Sequence, residues 1–305
     1  MDSALRNRLT FGPLMLLGLF AILWLDHWAQ QRTVGILVGG QTMDRGVGGI
    51  GLCLLLLLLL PPATAELARL FTAESVRPYR LISVAGSAML ILHAFAQQFD
   101  YFRRIGTSSL AFIIVFVMLL TALRRAWTRR TDEAITHMAG TVLATLYLGG
   151  LAWFLVALRV KHATFADGST RFSGTTFVVL MILLVVKFTD IGAFFGGRAL
   201  GRHKLIRWLS PGKTWEGLAV GIAVAALIGM ACAPLLSPLT WWKGAIFGAL
   251  IGAVGQVGDL LESLMKRDAQ VKDSGVLIPG FGGVLDVIDS PLLAAPFAYL
   301  LFSLF

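Results

Sequence analysis

Charge is what this chain has least of. Asp, Glu, Lys and Arg make up 14% of its 305 residues, against about 25% in a soluble globular domain. Mean hydropathy is +0.78 and 57% of the residues are hydrophobic. A soluble fold cannot hide that much apolar surface, which leaves an integral membrane protein. Cysteine is almost missing. Cys53 and Cys232 each lie in an apolar run, which excludes a disulfide framework or a thiolate metal site and leaves two small buried hydrophobes. Histidine is scarce too, with five, and no serine, cysteine and histidine arrangement supports covalent catalysis. There is no fixed-period repeat, and low complexity is confined to the leucine run 54–60. The first apolar run follows Arg6 and Arg8 but ends in the bulky, polar "LDHWAQQ" rather than a small-residue cleavage site. It is expected to be a retained helix.

What is present in quantity is helix-length apolar sequence. Crossing a bilayer takes about 20 mainly apolar residues. Nine segments qualify, near 10–28, 46–65, 81–99, 105–123, 137–158, 174–196, 217–239, 244–261 and 287–305. The expected class is therefore an all-α polytopic membrane protein. In the second segment, "CLLLLLLLPP" ends in two prolines, which are expected to kink or stop the helix. With the N-terminus in the cytoplasm, the inside segments hold 17 Lys and Arg and the outside loops 8, as the positive-inside rule requires. Most of the net charge of +9 is thereby a topology signal, and no nucleic-acid partner is implied. The halves differ. Residues 1–160 read as a scaffold of helices without a carboxylate cluster, whereas in 161–305 polar residues enter the helices themselves.

Three stretches of the second half carry the chemistry: "KFTDIGAFFGGRALGRHK" (187–204), "LSPGKTWEG" (209–217) and "GDLLESLMKRDAQVKDSGVLIPGFGGVLDVIDS" (258–290). Lys187 and Asp190 lie in or at the end of a span, where an ionisable residue is a functional candidate by default. Asp259 and Glu262 are three apart and share a helix face. Together with Asp286 and Asp289 they supply the oxygen ligands that a hard divalent cation such as Mg²⁺ prefers. Lys204, Lys213, Lys266, Arg267 and Lys272 lie beside these acids, which suits a polyanion such as a nucleotide triphosphate or a lipid headgroup. "SPGKT" is not a P-loop, because the required glycine is Arg207, although Gly212 is expected to allow a tight turn that presents amides to an anion. "PGFGG" (279–283) reads as a turn suited to backbone approach to a ligand.

At these residues the sequence resembles the phosphatidate cytidylyltransferases. Ser263, Lys266, Arg267, Lys272 and Asp273 match the family's S-x-x-K-R-x-x-x-x-K-D, and Pro279, Gly280, Gly282, Gly283, Asp286 and Asp289 match its P-G-H-G-G-x-x-D-R-x-D. Asp190, Ser210, Pro211, Lys213, Thr214, Trp215 and Glu216 fall in stretches similar to its upstream motifs. The family's histidine is Phe281 here and its arginine Val287; either their contacts come from elsewhere, such as His203 or Arg202, or the substrate or the activity has drifted.

The resemblance implies transfer of a cytidylyl group from CTP to phosphatidate, giving CDP-diacylglycerol and pyrophosphate with Mg²⁺, at the cytoplasmic face of the cell membrane. Asp259, Asp286, Glu262 and Asp190 are the implied metal ligands. Lys213, Lys266 and Lys272 are implied to pair with phosphates, and Asp289 to complete the catalytic set. Ser210, Lys204, Arg267 and the glycines 280, 282 and 283 are implied to hold the nucleotide. The implied partners are CTP, a lipid phosphate, bilayer lipids and a second copy in a homodimer. The rivals are another lipid phosphate as acceptor, a silent lipid-binding relative, and a transporter, which calls for paired motifs in two halves.

Overall fold

In the computed structural model the backbone is described for residues 3–73, 75–129, 131–160, 174–235 and 239–304, with side chains from residue 10 onward except 174, 175, 177 and 235. Arg130, Lys161 and Arg171, which enter the charge count, lie outside the described residues.

The order of elements is α1 (Ser3–Arg32), a minimal hairpin β1 (Leu37–Val38) and β2 (Gln41–Thr42), α2 (Ile50–Ala73), α3 (Arg80–Ala96), α4 (Asp100–Arg104), α5 (Gly106–Trp127), α6 (Ala134–Thr145) and α7 (Leu151–Val160). Then come α8 (Gly174–Leu200), β3 (Lys204–Ile206), β4 (Ser210–Thr214), α9 (Trp215–Cys232), α10 (Trp241–Asp268) and α11 (Leu285–Leu304). A π turn, Leu146–Gly150, joins α6 and α7 into one span, Ala134–Val160. Among the described residues, eight helical stretches are long and apolar enough to cross a bilayer, and α3, at 17 residues, is a shorter apolar helix. Each of the nine expected segments finds one of these. The chain is an all-α, multi-pass membrane protein.

Two local expectations are corrected. α2 does not stop at its prolines but runs through Pro61 and Pro62 to Ala73; spanning helices tolerate proline because neighbouring groups re-satisfy the freed carbonyls. "SPGKT" is not a turn but the extended strand β4, antiparallel to β3, with Lys204 opposite Thr214. Gly212 accordingly has no positive φ.

Two compact units emerge: Met1–Val160 with Asp268–Val287, and Lys161–Arg267 with Ile288–Phe305. In the first, α3 packs against α2, α5 and α7, around Leu67, Leu90, Ile91, Leu148 and Val156, all nearly inaccessible. In the second, α8 lies along α9. Without a hydrophobic drive in lipid, such packing relies on small residues that let backbones approach. Gly217 and Gly221 serve this purpose, since a Cβ on either would meet the carbonyl oxygen of Ala193 or Thr189 at 2.7 or 2.8 Å.

Candidate active site

The acids of α10 and α11 meet within the second unit. Asp259 and Glu262 stand one turn apart on α10, and Gly258 keeps that face open: a Cβ there would sit 3.1 Å from the Ser290 Cα and 3.2 Å from the Leu293 Cβ of α11. Asp289 therefore reaches the same place. One carboxylate oxygen from each of Asp259, Glu262 and Asp289 lies within 4.8 Å of the others, and Glu262 and Asp289 are buried. Three hard oxygen donors at this separation fit a divalent cation, which prefers carboxylate and water oxygens and keeps part of its shell for phosphate.

Lysines border the triad. Lys213 Nζ is 2.5 Å from Asp259 Oδ2, and Lys266 Nζ, one turn beyond Glu262, is 3.2 Å from its Oε2. Gln256, buried on α10 and not singled out from the sequence, links two elements: its Oε1 accepts from Lys213 Nζ at 3.1 Å and its Nε2 donates to Asp190 Oδ1 at 2.6 Å. Its signal in the sequence is slight, a lone amide one turn before Asp259 among Gly252, Gly255 and Gly258. Asp190, expected as a metal ligand, is thus tied to Gln256 and lies beside the triad rather than in it. Lys187 lies within electrostatic reach of both Asp190 and Asp289. With every group ionised, the carboxylates 190, 259, 262 and 289 outnumber the lysines 187, 213 and 266 by one.

The β3–β4 hairpin presents Lys213. Its strand runs into α9, whose N-cap is Thr214, with Gly217 N donating to Thr214 Oγ1 at 3.1 Å. Glu216 binds the other strand's approach: it accepts from Arg202 N at 3.1 Å and from His203 N at 3.2 Å, and its Oε1 is 2.6 Å from His203 Nδ1. His203 is thus engaged by Glu216. Arg267 Nε donates to Leu209 O at 3.4 Å, holding the hairpin to α10. Lys204 is exposed and Ser210 half-buried on the same hairpin.

The remaining expected residues fall in the first unit. Lys272 is exposed in the loop after α10, and Gly280 and Gly282 adopt φ of 84° and 100°, which only glycine takes readily. Asp286, expected as a metal ligand, points its Oδ2 at Gly283 N (2.7 Å), Ser274 Oγ (2.9 Å) and Ser274 N (3.1 Å). In the second unit, Asp289 is the α11 carboxylate of the convergent triad. Sequence reasoning also passed over Glu66 of α2, which is buried against Ser274, Val284 and Leu285. Its signal was an isolated acid inside an apolar span. Phe281 is exposed and Val287 half-buried.

Residues 30–305 match the family model described as the cytidylyltransferase family. The chain belongs to this family. The phosphatidate cytidylyltransferase of Bacillus subtilis (strain 168) is 32% identical over 244 residues, 77% of this chain and 85% of that protein. That of Brucella suis biovar 1 (strain 1330) is 39% identical over 169 residues, 54% of this chain and 62% of its own length. An uncharacterised Escherichia coli K12 protein, YnbB, is 38% identical over 146 residues, 47% of this chain and 49% of its own length. The match to the last two thus spans between about half and two thirds of those relatives. As a family member, this chain has its triad and lysines on α8, α10, α11 and the β3–β4 hairpin.

Proposed function

We propose that this cytidylyltransferase moves the cytidylyl group of CTP onto phosphatidate, giving CDP-diacylglycerol and pyrophosphate. The observation that carries the reading is the triad Asp259, Glu262 and Asp289, with Lys213 and Lys266 in contact with two of its members. The similarity to proteins named phosphatidate cytidylyltransferase supports the choice of substrates.

The chemistry asks little of a covalent catalyst. A phosphate oxygen of the lipid is already an anionic nucleophile. It attacks the α-phosphorus of CTP, the bond from that phosphorus to the bridging oxygen breaks, and its electrons leave with pyrophosphate. The difficulty is that two polyanions must meet, so catalysis rests on positioning and charge. Asp259, Glu262 and Asp289 are the proposed holders of Mg²⁺, which when bound supplies the charge that clamps phosphate oxygens and stabilises the leaving group. Lys213 and Lys266 leave their carboxylates to pair with incoming phosphate, while Gln256 keeps Lys213 and Asp190 in register. Lys204 and Arg267 add positive charge for the anions, with Ser210 on the same hairpin as Lys204. The excess of Lys and Arg in the segments that carry these motifs supports a cytoplasmic site.

The test is pyrophosphate release by the purified protein in detergent with CTP, Mg²⁺ and phosphatidate, each omitted in turn. Release is expected only with all three. Release that ignores the lipid, or none from folded protein, would overturn the reading, and release restored by a different lipid phosphate would reassign the acceptor.

A further inference from the structure

Glu66 belongs to none of the motifs above, yet it is only 5% exposed inside the span Ile50–Ala73. A buried carboxylate there is costly unless donors meet it. Val284 N donates to its Oε1 at 3.0 Å, Leu285 N to its Oε2 at 2.8 Å and Ser274 Oγ to Oε2 at 3.3 Å. Those two amides open α11, where the helix dipole favours an anion. The residue before α11 is Val284, which has no side-chain oxygen to serve as a local cap. The cap comes instead from α2, 218 residues away in sequence.

The surroundings are built for it. A Cβ on Gly275 or Gly283 would run into the Glu66 carboxylate, which accounts for two glycines of the 258–290 stretch. Asp286 closes on the same Ser274 hydroxyl from within α11, at 2.9 Å. A helix that one serine or aspartate at position 284 would cap is thus given a start that depends on α2.

We infer that Glu66 is a positioning residue for the reaction proposed above, on which this inference rests. By capping α11 it fixes the turn 279–283, Asp286 and the helix that carries Asp289 one turn further on. Glu66 itself touches no substrate. Its loss leaves two amides at the start of α11 without their acceptor and lets the helix start move, and displacements of about 1 Å cost about 100-fold in rate.

The test is Glu66→Gln, read by steady-state kinetics and by hydrogen exchange at fragment resolution. The expected result is a kcat about 10- to 100-fold lower with KM for CTP within about threefold, and faster exchange confined to 274–286. Glu66→Asp keeps the charge but draws it back by one methylene, and is expected to lie between. A kcat within about twofold of the parent, or unchanged exchange, would overturn the inference. If Glu66→Gln loses protection throughout the chain, Glu66→Asp decides, and parent-like kcat or global loss there would overturn it too. A parent protein without turnover would instead overturn the proposed reaction, while the exchange result is read independently of it.

Discussion

Among the described residues, an ionic cluster in each unit is built on a plan opposite to the other's. In the first unit, Asp26 of α1 and Arg159 of α7 form a pair with both side chains at 0% exposure and 2.7 Å between Nε and Oδ2. Arg159 also donates to Gln30 Oε1 at 2.9 Å, and Asp26 takes the amides of Gly49 and Gly51 at 3.2 and 2.9 Å. One charge meets one charge, with an amide side chain and two backbone amides beside them. In the second unit, four carboxylates face three lysines, and the Lys213 and Asp259 side chains remain 20% and 36% exposed. A structural pair closes on itself. The α10 cluster gathers several carboxylate oxygens and keeps a route to solvent, which is what a site for a cation and a phosphate needs.

Substitutions can break this contrast. The largest effect is expected from Arg159→Met, which strands the Asp26 charge and costs about 3–5 kcal/mol of stability. It should appear as a lower midpoint in thermal unfolding, with near-parent turnover by the protein that remains folded. Asp259→Asn should do the reverse, cutting pyrophosphate release about 100- to 1,000-fold, the range for losing one electrostatic stabiliser, at little change in unfolding midpoint. Lys213→Ala is expected to lower kcat/KM about 100-fold; Lys213→Arg should not restore it, because a planar fork does not replace a point charge held between Asp259 and Gln256. Gln256→Ala should cost least, about 10-fold, as for loss of an outer-shell partner. If Asp259→Asn destabilised the chain as much as Arg159→Met, the two clusters would be alike and the contrast would fail.

The apolar runs reveal the helices because a bilayer imposes one length on every span. They mislead at Pro61 and Pro62, where lipid makes helix the cheapest way to satisfy the backbone. The i, i+3 spacing of Asp259 and Glu262 is visible in sequence, since one helix carries both. Gln256 and Arg159 are not, because each acquires its meaning from a partner on another element, and Glu66 shows only as a lone acid in an apolar span. Asp286 and Asp289 show the limit most clearly. Both stand in one motif, yet Asp289 joins the α10 carboxylates of the second unit, and Asp286 accepts from Ser274 and Gly283 in the first.

Everything proposed for the α10 cluster turns on its managing a cytidylyl transfer to a membrane lipid. The most direct test follows phosphorus, using CTP labelled at the α- or the γ-phosphate with phosphatidate in mixed micelles. α-Label is expected in the organic phase and γ-label in the water as pyrophosphate, with transfer and release both cut about 100- to 1,000-fold in Asp259→Asn. γ-Label in the lipid, or α-label transferred equally well by Asp259→Asn, would contradict it.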